Sequence, residues 1–185
     1  LKRTGRTPGV VCRSSRAQAL APARVDAASD PQVHGDEAVL LARLQSSPVW
    51  SGPNRVATAL ALTRAHREVD VVICDDGLQH YALARDCEIA VVDAMRGLGN
   101  GMLLPAGPLR EPASRLRSVD AIVIHGVNAP DADEKPPRRF DMRLAGASFY
   151  SLVEPSRTAS ADRFAGKQVA ALAGIGNPDR FFAHL

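Results

Sequence analysis

Aromatic residues make up only 4% of this 185-residue chain. Proteins that hold single-stranded nucleic acid rely on stacking platforms, and few side chains here can supply one. The formal charge of +3 is spread along the sequence rather than gathered in a basic cluster, so nucleic acid is not an expected partner. A mildly basic surface suits an anionic ligand or anionic lipid headgroups about as well as it suits no particular partner. Cysteine is scarce: Cys12, Cys74 and Cys87 stand far apart with no C-x-x-C. That argues against a disulfide framework and a zinc site and points to a reducing compartment. No apolar run approaches the roughly 20 residues a membrane span requires, and no signal-like start is present. Membrane contact is expected to be peripheral, or to use a segment outside these residues.

A phosphate-binding loop is also missing. No G-x-x-x-x-G-K-S/T occurs, because the single Gly-Lys pair, Gly166-Lys167, is followed by Gln168. "TGRTP" at 4–8 looks like the tail of such a loop, but "GVVC" follows at once. No room is left there for the helix whose N-terminus would bind phosphate.

The length allows one substantial core with part of a second. The ends, "LKRTG" and "PDRFFAHL", read as those of a piece of a longer protein. Short apolar, β-branched runs recur at 8–12, 48–50, 69–74, 88–94, 119–126 and 167–174. Their apolarity is continuous rather than alternating, as in parallel strands covered on both faces. Between them, "GDEAVLLARLQ" is expected to be a helix with Val39, Leu40 and Leu44 on one face. "NRVATALALTRAHRE" is expected to repeat Val56, Leu60 and Thr63 behind an Asn54 cap. Alternating strand and helix predict a doubly wound, mostly parallel α/β sheet.

A Pro-rich, charged stretch at 128–140 reads as an exposed connection. "FDMRLAGASFYSLVEP", alternating around Gly146, reads as a hairpin. Asn177 and Pro178 fit the cap and first position of a further helix. The expected division is a core at 1–137, a hairpin linker at 138–156, and the start of a small C-terminal α/β subdomain at 157–185.

In an open parallel sheet, ligands bind outside the carboxyl ends of the strands. Asp75 and Asp76 follow "VDVVIC" at such an end, in the pattern of a Walker B acid that holds Mg²⁺ directly or through water. "DDG" is equally a turn signal. Asp36 and Glu37 open a helix, where capping and the macrodipole alone favour acids. "RGLGNGMLLPAGPLREP" at 96–112 holds four glycines and three prolines, which suggests a loop of fixed shape. Arg110 and Glu111 at its end would face the ligand edge, and the planar fork of Arg110 suits a phosphate oxygen. His80 could serve as acid or base, or be a satisfied structural group.

Taken in order, "GDE", "GPNRV", "DDGLQH", "GNGMLLPAGPLREP" and "AGIGNPDRFF" resemble the tetraacyldisaccharide 4'-kinases of lipid A biosynthesis. The resemblance covers most of residues 8–185. It implies a P-loop kinase fold, here lacking its P-loop segment. It also implies transfer of the γ-phosphoryl of ATP to the 4'-hydroxyl of a lipid disaccharide at the cytoplasmic face of the bacterial inner membrane. On that reading Asp75 and Asp76 serve Mg²⁺, Asp36 is the base and Glu37 stands near the metal. Arg110 and Glu111 shape the phosphate and metal site, with Gln79 and His80 beside the nucleotide. Three departures go with it. The family's P-loop and membrane-binding segment lie upstream of Leu1, its late His lies beyond Leu185, and its "SRGYG" becomes "CRSSR" at 12–16. The 185 residues alone are therefore expected to be inactive. Another P-loop ATPase or small-molecule kinase, or a non-catalytic relic, would share these features.

Overall fold

Pro8–Arg13 forms β1, whose first five residues are buried. This continuous burial accounts for the unbroken apolar run. The computed structural model describes residues 1–14, 20–44, 47–126, 137–143, 146, 148–154, 156–174 and 178–184. In it β1 lies between β3 (Val49–Gly52) and β4 (Val71–Cys74), parallel to both, with Val10 opposite Val49 and Ile73. β2 (Ala23–Val25) adds antiparallel to the outer edge of β3. It is only three residues long, too short for a periodic signal.

Parallel neighbours need crossovers, and helices supply them. α1 (Pro31–His34) and α2 (Asp36–Leu44) join the β1 side to β3, and α3 (Arg55–Ala65) joins β3 to β4. α2 sets Ala38 and Val39 into a core with Val10, Cys12, Val25 and Val49. The expected face of Val39, Leu40 and Leu44 is corrected here: Leu40 and Leu44 are exposed, and Leu41 and Ala42 pack against the core. In α3, Asn54 caps as expected, its side chain accepting from the Ala57 amide at 3.0 Å. The buried face, however, is Arg55, Thr58 and Leu62 rather than Val56, Leu60 and Thr63. The helix is so uniformly rich in Ala and Leu that apolarity does not mark its inner side, and Arg55 is drawn in by the polar partners described below.

β5 (Ile89–Asp93), β6 (Ala121–His125) and β7 (Arg138–Met142) form a second parallel sheet. Ala90, Val119 and Ile122 make its core, with Leu78 from the loop after β4 packed against them. The hairpin expected around Gly146 is shifted. Arg138–Met142 extends the second sheet in parallel, and the antiparallel pair is β8 (Ser148–Tyr150) with β9 (Thr158–Ser160). Alternation around a glycine does not reveal which neighbour a strand takes. The strand expected at 167–174 is absent. Val169 and Leu172 are exposed there, and among the described residues no strand lies beside it to complete a ladder. Pro178 opens α4 (Pro178–His184). Asn177, and 128–136 of the exposed connection, lie outside the described residues.

Candidate active site at the carboxyl edge of the first sheet

The Asp75 amide donates to the Val11 carbonyl at 3.0 Å, carrying the β1–β4 ladder one residue past β4. The chain then turns. Asp76 takes a left-handed backbone conformation with φ of 47°, which short acidic side chains tolerate better than most. The turn reading of "DDG" holds, and that turn stands at the carboxyl end of β4.

α2 begins beside the same edge. A methyl built on Gly35 would lie 3.5 Å from the Arg13 carbonyl at the end of β1, so Asp36 and Glu37 start their helix next to that strand end. The Glu37 carboxyl is pushed above its ordinary range, first by the charge of Asp75, then by burial, then by Asp36 and Asp76. Four carboxylates thus share one field. Among the described residues no group of three or more His, Cys, Asp or Glu is placed to hold a metal ion by itself. A donor set of this kind still fits Mg²⁺, which uses one or two carboxylates together with substrate phosphates and water.

Beneath the acids lies a cation. Arg55 is only 4% exposed. One of its nitrogens donates to the Asp75 carbonyl at 2.6 Å and another meets Nε2 of His80. A guanidinium has no acceptor to offer, so Nε2 of His80 accepts and the proton sits on Nδ1. Burial, Arg55 and Arg13 push the His80 pKa down, Asp76 opposes them, and Arg85 adds to the lowering. His80 is therefore held neutral, and its Nε2 ties the turn to Arg55.

A second network joins this loop to the glycine-rich one. Gln79 donates to Glu111 Oε2 at 2.9 Å, the Tyr81 hydroxyl donates to Oε1, and Arg115 Nε lies 3.6 Å from the same oxygen. Arg115 also grips both oxygens of Glu88 at 2.6 and 2.7 Å, and Arg85 meets Glu88 at 2.7 Å. Both oxygens of Glu111 are thus engaged by side chains, and Arg110 next to it is exposed. The structure places Asp36, Glu37, Asp75 and Asp76 in one electrostatic group and Gln79 and Glu111 in another. His80 belongs to the buried anchor.

Cys12 and Cys74 are held as neutral thiols. Burial, with Asp75 next, pushes Cys12 up to about 12, and burial also raises Cys74. In "CRSSR", Ser14 is buried, while Ser15 and Arg16 lie outside the described residues.

A family model described as "LpxK: Tetraacyldisaccharide-1-P 4'-kinase" matches residues 1–185. The chain belongs to the tetraacyldisaccharide 4'-kinase family. The tetraacyldisaccharide 4'-kinase of Azoarcus sp. is 48% identical over 189 residues, covering 100% of this chain and 54% of that protein. That of Chromobacterium violaceum is 51% identical over 176 residues, covering 94% and 51%. The chain therefore spans about half the length of the curated relatives it matches. A crystal structure of LpxK from Aquifex aeolicus in complex with ATP shares the fold. Its TM-score is 0.74 at 23% identity, over 98% of this chain and 58% of that one.

Sequence reasoning about the tetraacyldisaccharide 4'-kinase motifs missed Arg55, Tyr81 and Arg115. Arg55 carried a signal, because a cation in the first turn opposes the helix dipole and needs another reason to be there. Tyr81 carried none, since its partner Glu111 is remote in sequence; Arg115 stands four residues after Glu111, but its closest partner, Glu88, is remote.

Proposed function

We propose that the protein containing this chain transfers the γ-phosphoryl group of ATP to the 4'-hydroxyl of a tetraacyldisaccharide 1-phosphate, at the cytoplasmic face of the bacterial inner membrane. The observation that carries the reading is that α2, opened by Asp36 and Glu37, starts at the same sheet edge as the Asp75–Asp76 turn, where the charge of Asp75 raises the Glu37 carboxyl. Phosphoryl transfer asks mainly for positioning and charge neutralisation, and the acids of this edge would serve the second through the Mg²⁺ they would hold.

Asp36 is the base that accepts the sugar hydroxyl proton, and its exposure at the start of α2 leaves it open to substrate. Asp75 and Asp76 hold Mg²⁺, with Glu37 as neighbour. When bound, the ion neutralises charge on the phosphates. Arg110 meets a phosphate oxygen through its fork. Glu111, engaged by Gln79 and Tyr81, fixes the loop that presents Arg110 and stands at the border of the metal site. Gln79 and His80 line the nucleotide side, His80 through the turn it anchors. The 185 residues hold no G-x-x-x-x-G-K-S/T, so this chain alone is expected to bind ATP weakly and transfer nothing.

The test is transfer of labelled phosphate from ATP to the tetraacyl disaccharide 1-phosphate by the protein at its full encoded length. Asp36→Ala is expected to lower turnover by about 100-fold to 10,000-fold, and Asp75→Ala by a comparable factor with a raised Mg²⁺ requirement. An inactive full-length protein, or wild-type turnover in either variant, would overturn the reading.

A further inference from the structure

Residues 102–106, "MLLPA", are five consecutive apolar residues and all are exposed. Met102 keeps 56%, Leu103 44% and Leu104 63% of full exposure. A run of this length facing water is a defect unless something covers it. Leu152 and Val153 are more exposed still, so exposure alone does not single out this loop.

What sets it apart is that its backbone is fixed in that display. The Leu104 amide donates to the Leu109 carbonyl at 2.8 Å, Leu109 to Met102 at 3.1 Å and Gly107 to Leu103 at 2.9 Å. The Asn100 side chain donates to the Ala106 carbonyl at 2.9 Å and accepts from the Met102 amide at 3.1 Å. The packing is so close that a methyl on Gly107 would overlap both Asn100 Oδ1 and the Met102 carbonyl. At its start the Asp93 carboxylate accepts from the amides of Met95 and Arg96. At its end Glu111 is bound by Gln79 and Tyr81. The loop is thus a shaped tip fastened to the candidate site at the Glu111 end.

Charge identifies the occupant. Between Asp93 and Glu111 the sequence contains no acidic residue and two arginines, Arg96 and Arg110, both exposed. Exposed apolar side chains flanked by cations, with anions excluded, are what an anionic lipid interface selects. We propose that residues 102–106 enter the surface of an anionic phospholipid bilayer, with Arg96 against the headgroups and Arg110 left to the candidate site. This holds the Arg110–Glu111 end of the loop at the membrane. The contact deepens the lipid-kinase reading and rests on it only for why the site should face a bilayer.

The experiment is flotation of the full-length protein with phosphatidylglycerol vesicles and, separately, with phosphatidylcholine vesicles. The double variant Leu103→Ser, Leu104→Ser is expected to lower the partition coefficient on phosphatidylglycerol by roughly tenfold. Arg96→Gln should lower it by about fivefold and leave phosphatidylcholine binding unchanged. Unchanged partition in the double variant, or equal binding of the wild type to both lipids, would overturn the proposal. Because the double variant could fail to fold, hydrogen exchange on the wild type is the second measurement. Phosphatidylglycerol vesicles should slow exchange across 95–110, and no slowing counts against the contact. Slowing that follows protein concentration without vesicles would instead assign the tip to a second copy and overturn the bilayer. Activity on detergent-dispersed substrate separates the two claims, since an inactive wild type that still floats through this loop would sink only the kinase reading.

Discussion

The guanidinium of Arg55 donates to the carbonyl of Asp75 at 2.6 Å, so the first turn of α3 holds the turn at the end of β4. Arg55 is nearly buried, and its contact with His80 fixes a second point of the same loop. Removing it leaves a half-buried carbonyl and an imidazole nitrogen without their donor. Arg55→Ala is therefore expected to destabilise the chain by about 3 kcal/mol. Arg55→Lys should recover less than half of that, because an ammonium cannot reproduce the fork. Urea unfolding reads both, and a loss below about 0.5 kcal/mol in Arg55→Ala would deny the anchor.

His80 gives a pH signature. Its folded-state pKa is depressed, first by burial and then by Arg55 and Arg13. The unfolded chain therefore takes up a proton that the folded chain refuses. Stability supplied by neutral His80 is complete above the ordinary imidazole pKa of about 6.5 and is lost as pH falls below it. His80→Gln, which removes the titration, should flatten the stability profile between about pH 6.5 and 5. A variant profile parallel to wild type over that interval would show that His80 titrates normally.

The parts of this fold that could be read from sequence are those in which one residue's neighbours lie on its own element. β1 announces itself because a strand buried on both faces must be apolar throughout; β4, β5 and β6 are as apolar in sequence, yet Ile73, Ile89 and Val91 stay exposed, so their runs marked strands without marking cover on both faces. Asn54 announces the start of α3 because its partner, Ala57, is three residues on. The inner face of α3 was hidden for the opposite reason. Arg55 is buried by partners at Asp75 and His80, which no periodicity encodes. The strand expected at 167–174 has the composition of β5 but lacks a described neighbour to pair with. At the site, each pair of adjacent acids was legible, whereas the coupling of Asp36–Glu37 to Asp75–Asp76 required the sheet to bring two strand ends together.

That coupling can be tested through Glu37. The dipole of α2 favours a charge at its first turn, yet Asp75, burial, Asp36 and Asp76 together push the Glu37 carboxyl up. With a raised folded pKa, the folded state holds a proton that the unfolded state releases. Stability therefore declines as pH rises out of the ordinary carboxylate range and stays lower above it. Glu37→Gln is expected to raise Tm by about 1 °C at neutral pH and to give no gain near pH 4. A lower Tm at neutral pH would mean that the helix dipole, not the acid cluster, dominates at this position.

The packing of α3 on β1 makes the last prediction. Leu62 is fully buried, and a methyl built on Gly9 would stand 2.8 Å from its Cδ2, 3.1 Å from its Cδ1 and 3.2 Å from Val69 Cγ1. Gly9 is thus the hollow into which Leu62 fits. Leu62→Ala removes the side chain and leaves a cavity, at a cost of about 2–5 kcal/mol. Gly9→Ala keeps the leucine and forces it aside, at a cost of about 1–3 kcal/mol. Combined, the new methyl enters space the leucine has vacated, so the clash disappears and part of the cavity is filled. The double variant should be more stable than the sum of the two losses by at least about 1 kcal/mol, with Val69 limiting the recovery. Strict additivity in chemical denaturation would mean that α3 does not seat Leu62 against Gly9, and that the helix crosses the sheet elsewhere.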